Sequence, residues 1–201
     1  MMDRATKFSS LSGFSIVIAG LMAILGGFLI YSDLEFFLHE GKLIGYSRLI
    51  ESEAGSEDFQ RKIKSLLLVG SIIFTCSILI FYFAGIRKSK KQQVEFWNPS
   101  MIRALKSLFV PVLAGGIFSI VLIMHGFVGM VAPSTLIFYG LGLINASKYT
   151  YGEIEVLGYV QLILGLIASF FMGSGLLFWV IGFGFCHVIF GIIFYMRHDA
   201  K

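Results

Sequence analysis

Charge is the scarcest property of this chain. Only 14% of its 201 residues are Asp, Glu, Lys or Arg, against about 25% in an ordinary soluble domain. The few charges are gathered into short segments, and the apolar runs at 9–31, 65–86, 108–131, 133–147, 156–172 and 175–196 contain none. A bilayer core asks for about 20 apolar residues per helix, so these runs predict an all-α, polytopic transmembrane bundle of six spans. Cysteine is nearly absent too. Cys76 and Cys186 both fall inside predicted spans, which excludes a disulfide framework and offers no metal-binding pattern. No glutamate joins the histidines into a box such as H-E-x-x-H, so no cofactor or metal is expected. General acid–base chemistry needs positioned ionisable groups, and the span interiors supply only His125 and His187. The sequence therefore points away from an enzyme.

The charge that is present sets an orientation. With the N-terminus inside, the inner segments hold Arg4, Lys7, Arg87, Lys88, Lys90, Lys91, Arg103, Lys106, Lys148, Arg197 and Lys201, most of the 16 basic residues. The outer loop 32–64 has only Lys42, Arg48, Arg61, Lys62 and Lys64, mixed with seven acidic residues. Basic residues accumulate on the cytoplasmic side, so both termini are expected there. A net charge of +4 arranged in this way does not indicate nucleic acid. The run RKSKK at 87–91 directly follows a span, where it stops translocation or meets lipid headgroups. The first apolar run is longer than a signal-peptide core and lacks an A-x-A site, so it is expected to stay as a helix.

The chain divides into a two-span part, 1–95, carrying the outer loop 32–64, and a four-span part, 96–201, of two tandem helical hairpins. Leu34, Phe37 and Leu38 in the loop predict an interfacial helix. Phe96 and Trp97 suit the headgroup layer. Asn98 and Pro99 read as a helix cap and first helical residue, with Arg103 and Lys106 snorkelling to water. Turns are expected near Ala132-Pro133 and near Gly173-Ser174-Gly175.

Glycine is abundant and patterned. Gly13, Gly20 and Gly27 recur every seven residues in the first span, Gly158 and Gly165 do so in the fifth, and the sixth has Gly175/Gly182 and Gly184/Gly191. Seven residues return to nearly one face of a helix, and small residues on a face let membrane helices approach closely. These nine glycines are the candidate packing positions. Gly182 and Gly184 fall on opposite faces, so the sixth helix is expected to be gripped from both sides.

Four glycines are each followed three residues later by a polar side chain: Gly116/Ser119, Gly142/Asn145, Gly158/Gln161 and Gly184/His187. Counted from the two expected turns, Ser119, Asn145, Gln161 and His187 form one layer in the inner half of the core. An offset of 42 residues carries the first pair of glycine–polar motifs onto the second, suggesting a duplicated hairpin. Such groups can pair with one another and fix helix register, at about 0.6 kcal/mol per interhelical bond, or they can hold a small ligand or a proton, histidine being the residue that titrates near neutrality. His125 is placed much nearer the outer end than His187, which disfavours a haem held between them.

The strings PVLAGGIF at 111–118, APSTLIFYGLGLINASKYT at 132–150 and GLLFWVIGFGFCHVIFGI at 175–192 resemble a group of multi-span inner-membrane proteins from Bacteroidota. The resemblance covers about half the chain and implies a bacterial inner membrane, with no activity attached. Two readings result: a non-enzymatic structural, accessory or partner-binding component whose partners are the lipid bilayer and other membrane proteins, or a small-solute transporter or channel lined by the polar layer.

Overall fold

The computed structural model describes residues 11–33 and 57–200, and every regular element among them is helical. In chain order these are α1 (Gly13–Asp33), α2 (Glu57–Gln92), α3 (Pro99–Met124), α4 (Val131–Ser147) and α5 (Gly152–Phe170). The sixth span joins α6 (Gly175–Trp179), a π-helical stretch Val180–Cys186 and α7 (His187–His198). Short 3-10 turns, Val128–Met130 and Met172–Ser174, precede α4 and α6. Six helices are long and apolar enough to cross a membrane, so the fold class is the all-helical, six-span bundle that the distribution of charge predicts. The interfacial helix expected around Leu34, Phe37 and Leu38 lies outside the described residues.

α4 and α5 form the closest pair, with α3 on the other side of α4 and the sixth span across α4 and α5. α1 packs on the sixth span as well as on α2. The outward faces are apolar: Val110, Leu113 and Ile117 on α3 and Phe14, Leu25 and Phe28 on α1 are all mostly exposed. Large apolar patches of this kind are what a lipid-facing surface requires.

Where α3 turns back toward α4 is set by one residue. Gly126 has φ 79°, a left-handed conformation glycine adopts without steric cost. Around it the Phe127 amide donates to the Leu122 carbonyl at 2.8 Å and the Gly126 amide to Ile123 at 3.0 Å, the paired bonds of a Schellman helix end. His125 is the exposed C-cap, its Nδ1 2.9 Å from the Val121 carbonyl. The expected turn at Ala132-Pro133 is corrected accordingly: Pro133 lies in the first turn of α4, where a missing N–H leaves no helical bond unmade. At the other end of α3, the Asn98 side chain accepts from the Met101 amide at 2.9 Å, capping the helix as its sequence implies.

The end of the bundle where α1 begins and α7 ends is tied by charge. Asp199 Oδ2 accepts from the Gly13 amide at 2.7 Å, at the start of α1, where a carboxylate complements the helix dipole. Lys88 Nζ, from the end of α2, stands 2.5 Å from Asp199 Oδ1 and 2.5 Å from the Leu11 carbonyl. First, second and sixth spans thus meet in one ionic clasp. Beside it Glu153 accepts from Arg197 at 3.1 Å. Burial, together with the carboxylates of Asp199 and Glu153, pushes the Tyr151 phenol above its ordinary range.

Candidate functional site

The deepest polar groups converge on one backbone oxygen. Gln161 is fully buried on α5, and its Nε2 donates to the Gly182 carbonyl at 2.7 Å. His187, at the start of α7, places Nδ1 3.0 Å from the same carbonyl. A carbonyl only accepts, so Nδ1 carries a proton, and in the neutral imidazole Nε2 then offers its lone pair. To that neutral form the Tyr139 hydroxyl of α4, 2.8 Å from Nε2, donates. Three helices are thereby joined through four groups.

The backbone of the sixth span makes this possible. Gly182 lies within the π-helical stretch, a wider register than the α-helix in which carbonyls reach an amide five residues on. Its lack of a side chain matters equally: a Cβ there would stand 2.6 Å from Gln161 Oε1 and 2.5 Å from Leu136. Among the described residues Gln161 Oε1 has no hydrogen-bond partner. It lies where a side chain at position 182 would project, so the amide can reach the Gly182 carbonyl only because that side chain is absent. Tyr139, Phe183 and His187 stack alongside, the Tyr139 and His187 rings 5.5 Å apart and 27° from parallel.

Ser119 and Asn145 are not part of this cluster. Ser119 is buried, and among the described residues its hydroxyl has no partner. Asn145 is exposed rather than directed into the bundle. The expected single layer is therefore corrected, and its cause is the misplaced turn. With α3 ending at Met124, Ser119 lies about 8 Å from that end, whereas Asn145, two residues before the far end of α4, lies about 20 Å from its start. Packing shows the same register: a Cβ at Gly115 would run into Phe138, and one at Gly142 would stand 2.8 Å from the Leu108 carbonyl. At the C-terminal end of a short helix an exposed asparagine can reach headgroup water.

The glycines form two seams. On α1, a Cβ at Gly13 would stand 2.8 Å from the Gly191 carbonyl, one at Gly20 2.8 Å from the Gly184 carbonyl, and one at Gly27 would enter the Val180 side chain. From the sixth span, a Cβ at Gly184 would enter the Ile24 side chain and one at Gly191 would stand 2.7 Å from the Val17 amide nitrogen. Between α4 and α5, a Cβ at Gly158 would stand 2.9 Å from the Gly140 carbonyl and one at Gly165 2.9 Å from the Ile137 amide nitrogen. Gly182 faces α4 and α5, opposite to the α1 seam, and Gly175 is buried at the head of α6. His187 does not share the α1 stripe of Gly184 and Gly191, since it turns toward Tyr139.

Tyr139 and the Gly182 carbonyl are the members that sequence reasoning missed. A signal existed for Tyr139: tyrosine favours the membrane interface, and one set midway along an apolar span needs a polar partner for its hydroxyl. Among the described residues no group of three or more His, Cys, Asp or Glu side chains could hold a metal ion. No family model, curated protein or solved structure matches this chain.

Proposed function

We propose that the protein is a non-enzymatic, multi-pass component of a bacterial cytoplasmic membrane, structural or accessory in role, with both termini in the cytoplasm and other membrane proteins as partners. The observation that carries this reading is how the deep polar groups are used. The donors of Gln161 and His187 end on one carbonyl, and the hydroxyl of Tyr139 ends on His187. These groups hold helices together and leave no charged residue at depth, whereas coupling residues in transport pathways are usually charged. Affinity purification in mild detergent, with identification of bound membrane proteins, tests the partner role. Copurification of no membrane protein in stoichiometric amount would count against it.

The orientation has its own test. In a background lacking Cys76 and Cys186, cysteine at Phe127 should react with an impermeant thiol reagent in outer-membrane-permeabilised cells, and cysteine at Lys91 should not. The reverse pattern would overturn the assignment of sides.

A small-solute carrier is the second reading, drawn from Ser119 Oγ and Gln161 Oε1, buried side-chain atoms without a hydrogen-bond partner among the described residues. The exposure of Asn145 on the outside of the bundle removes it from any route lined by the other three. A solute that raises the unfolding temperature of the wild type, but not of a folded His187→Asn variant, would decide in favour of the carrier.

A further inference from the structure

The run RKSKK is divided by the helix that carries it. Lys88 turns inward to Asp199, while Arg87, Lys90 and Lys91 are exposed. Spacings of three and four residues put those three on one stripe of α2. Like charges so placed repel one another, a repulsion that an anion beside the stripe would relieve. Among the described residues none of the three has an acidic partner.

Just below the stripe the chain reverses. Gln93, at φ 55°, turns it back, and Phe96 fits against Gly85, where a Cβ would enter its ring. Trp97 lies 5.4 Å from Phe96 and 6.3 Å from Tyr82 between ring centres, and is 57% exposed. This aromatic shelf has the character of a membrane–water boundary. The basic stripe projects beyond it by roughly two turns of helix, about 10 Å. From the shelf α3 begins. Its buried Met101 and Ala104 face the bundle, and Arg103 and Lys106 are exposed, again three residues apart. Its first turn contains no acid. Glu95 is the exposed acidic residue of the connector. At the opposite end, the turns 125–130 and 171–174 carry no Lys, Arg, Asp or Glu.

We infer that Arg87, Lys90, Lys91, Arg103 and Lys106, around the Trp97 shelf, form a seat for the headgroups of anionic phospholipid. Two cationic stripes face outward at headgroup height, and an aromatic shelf sets that height. The complementary surface is an anionic leaflet, which attracts such residues by about 1 kcal/mol each, or roughly fivefold in partitioning. The inference rests on the membrane reading above, but vesicle binding does not depend on the orientation in cells or on a protein partner, so the two can fail separately.

The test uses the full chain reconstituted in phosphatidylcholine vesicles containing either phosphatidylglycerol or phosphatidylcholine with brominated acyl chains, at equal mole fraction. The difference in quenching between wild type and Trp97→Phe isolates Trp97. Trp179, in α6 at the head of the sixth span, is the internal control. Trp97 should be quenched several-fold more by the brominated phosphatidylglycerol, and the preference should shrink in about 1 M salt, where screening is short-ranged. It should fall in the triple variant R87Q/K90Q/K91Q and be lost in the quintuple variant R87Q/K90Q/K91Q/R103Q/K106Q, with the unfolding temperature kept. Equal quenching by the two lipids in the wild type would overturn the proposal, as would a folded quintuple variant that keeps the preference. Displacement of the preference by inorganic phosphate at matched ionic strength would make the seat a site for soluble anions and would likewise overturn it.

Discussion

The hairpins α3–α4 and α5–sixth span are written alike and built differently. Each has a glycine and a polar residue three positions later on both of its helices. In the second hairpin, Gln161 and His187 meet on the Gly182 carbonyl. In the first, Ser119 is buried alone and Asn145 is exposed. The glycines diverge as well. Gly158 is pressed against the Gly140 carbonyl, whereas a Cβ at Gly116, its counterpart at an offset of 42, would meet nothing within 4 Å. Similar spacing does not produce similar contacts, because contact depends on where each hairpin turns. The first turns at Gly126, ahead of the Ala-Pro pair, and this displaces the two helices by more than one turn relative to each other.

The largest difference is expected at the matched glycines. Gly158→Leu places a branched side chain against backbone at 2.9 Å, which flexible side chains cannot relieve. It should cost about 3 kcal/mol, the upper end of overpacking effects. Gly116→Leu should stay within about 0.5 kcal/mol, as surface changes do. Unfolding of both variants in one detergent gives the comparison. Equal destabilisation would mean that α3 packs through Gly116 in the intact protein and that the hairpins are alike after all.

A smaller contrast separates the buried polar residues. Gln161→Leu removes a donor from the Gly182 carbonyl while His187 still serves it, so a loss of about 1–2 kcal/mol is expected. Ser119→Ala removes a hydroxyl without a partner, and deleting an unsatisfied buried group is neutral or stabilising. Opposite signs at two positions read as equivalents in the sequence would establish the asymmetry. A loss at Ser119 as large as at Gln161 would abolish it.

What could be read in the residues, and what could not, follows the same division. Span positions were legible because exclusion of charge from hydrocarbon acts residue by residue and needs no knowledge of neighbours. The start of α3 was legible because Asn98 caps it with its own side chain. The meeting of Gln161 and His187 was within reach because the turn at 172–174 lies where its glycines and serine suggest. Ser119 and Asn145 were misplaced because Ala132-Pro133 resembles a turn, whereas proline is equally at home in a first helical turn. The better signal was the glycine after His125, a helix stop that needs no partner beyond its own helix. The π-helical register of the sixth span was not legible, since it depends on packing across both of its faces.

The smallest effect concerns the residue that joins the two hairpins. Tyr139 belongs to the first hairpin, and the position 42 residues on is Ile181, so no repeat accounts for it. Its hydroxyl nevertheless completes the second hairpin by donating to His187 Nε2. Tyr139→Phe keeps the ring stacked on His187 and removes only that bond, which should cost about 0.6 kcal/mol and at most about 1.7. His187→Phe removes both of the histidine's bonds and should cost more. In a double-mutant cycle the second substitution should add less in the Tyr139→Phe background than in the wild type, by about the same 0.6 kcal/mol, because neighbours sharing a bond are not additive. Strict additivity of the two losses would show that Tyr139 packs beside His187 without holding it. The coupling between the hairpins would then rest on the glycine seam between α4 and α5.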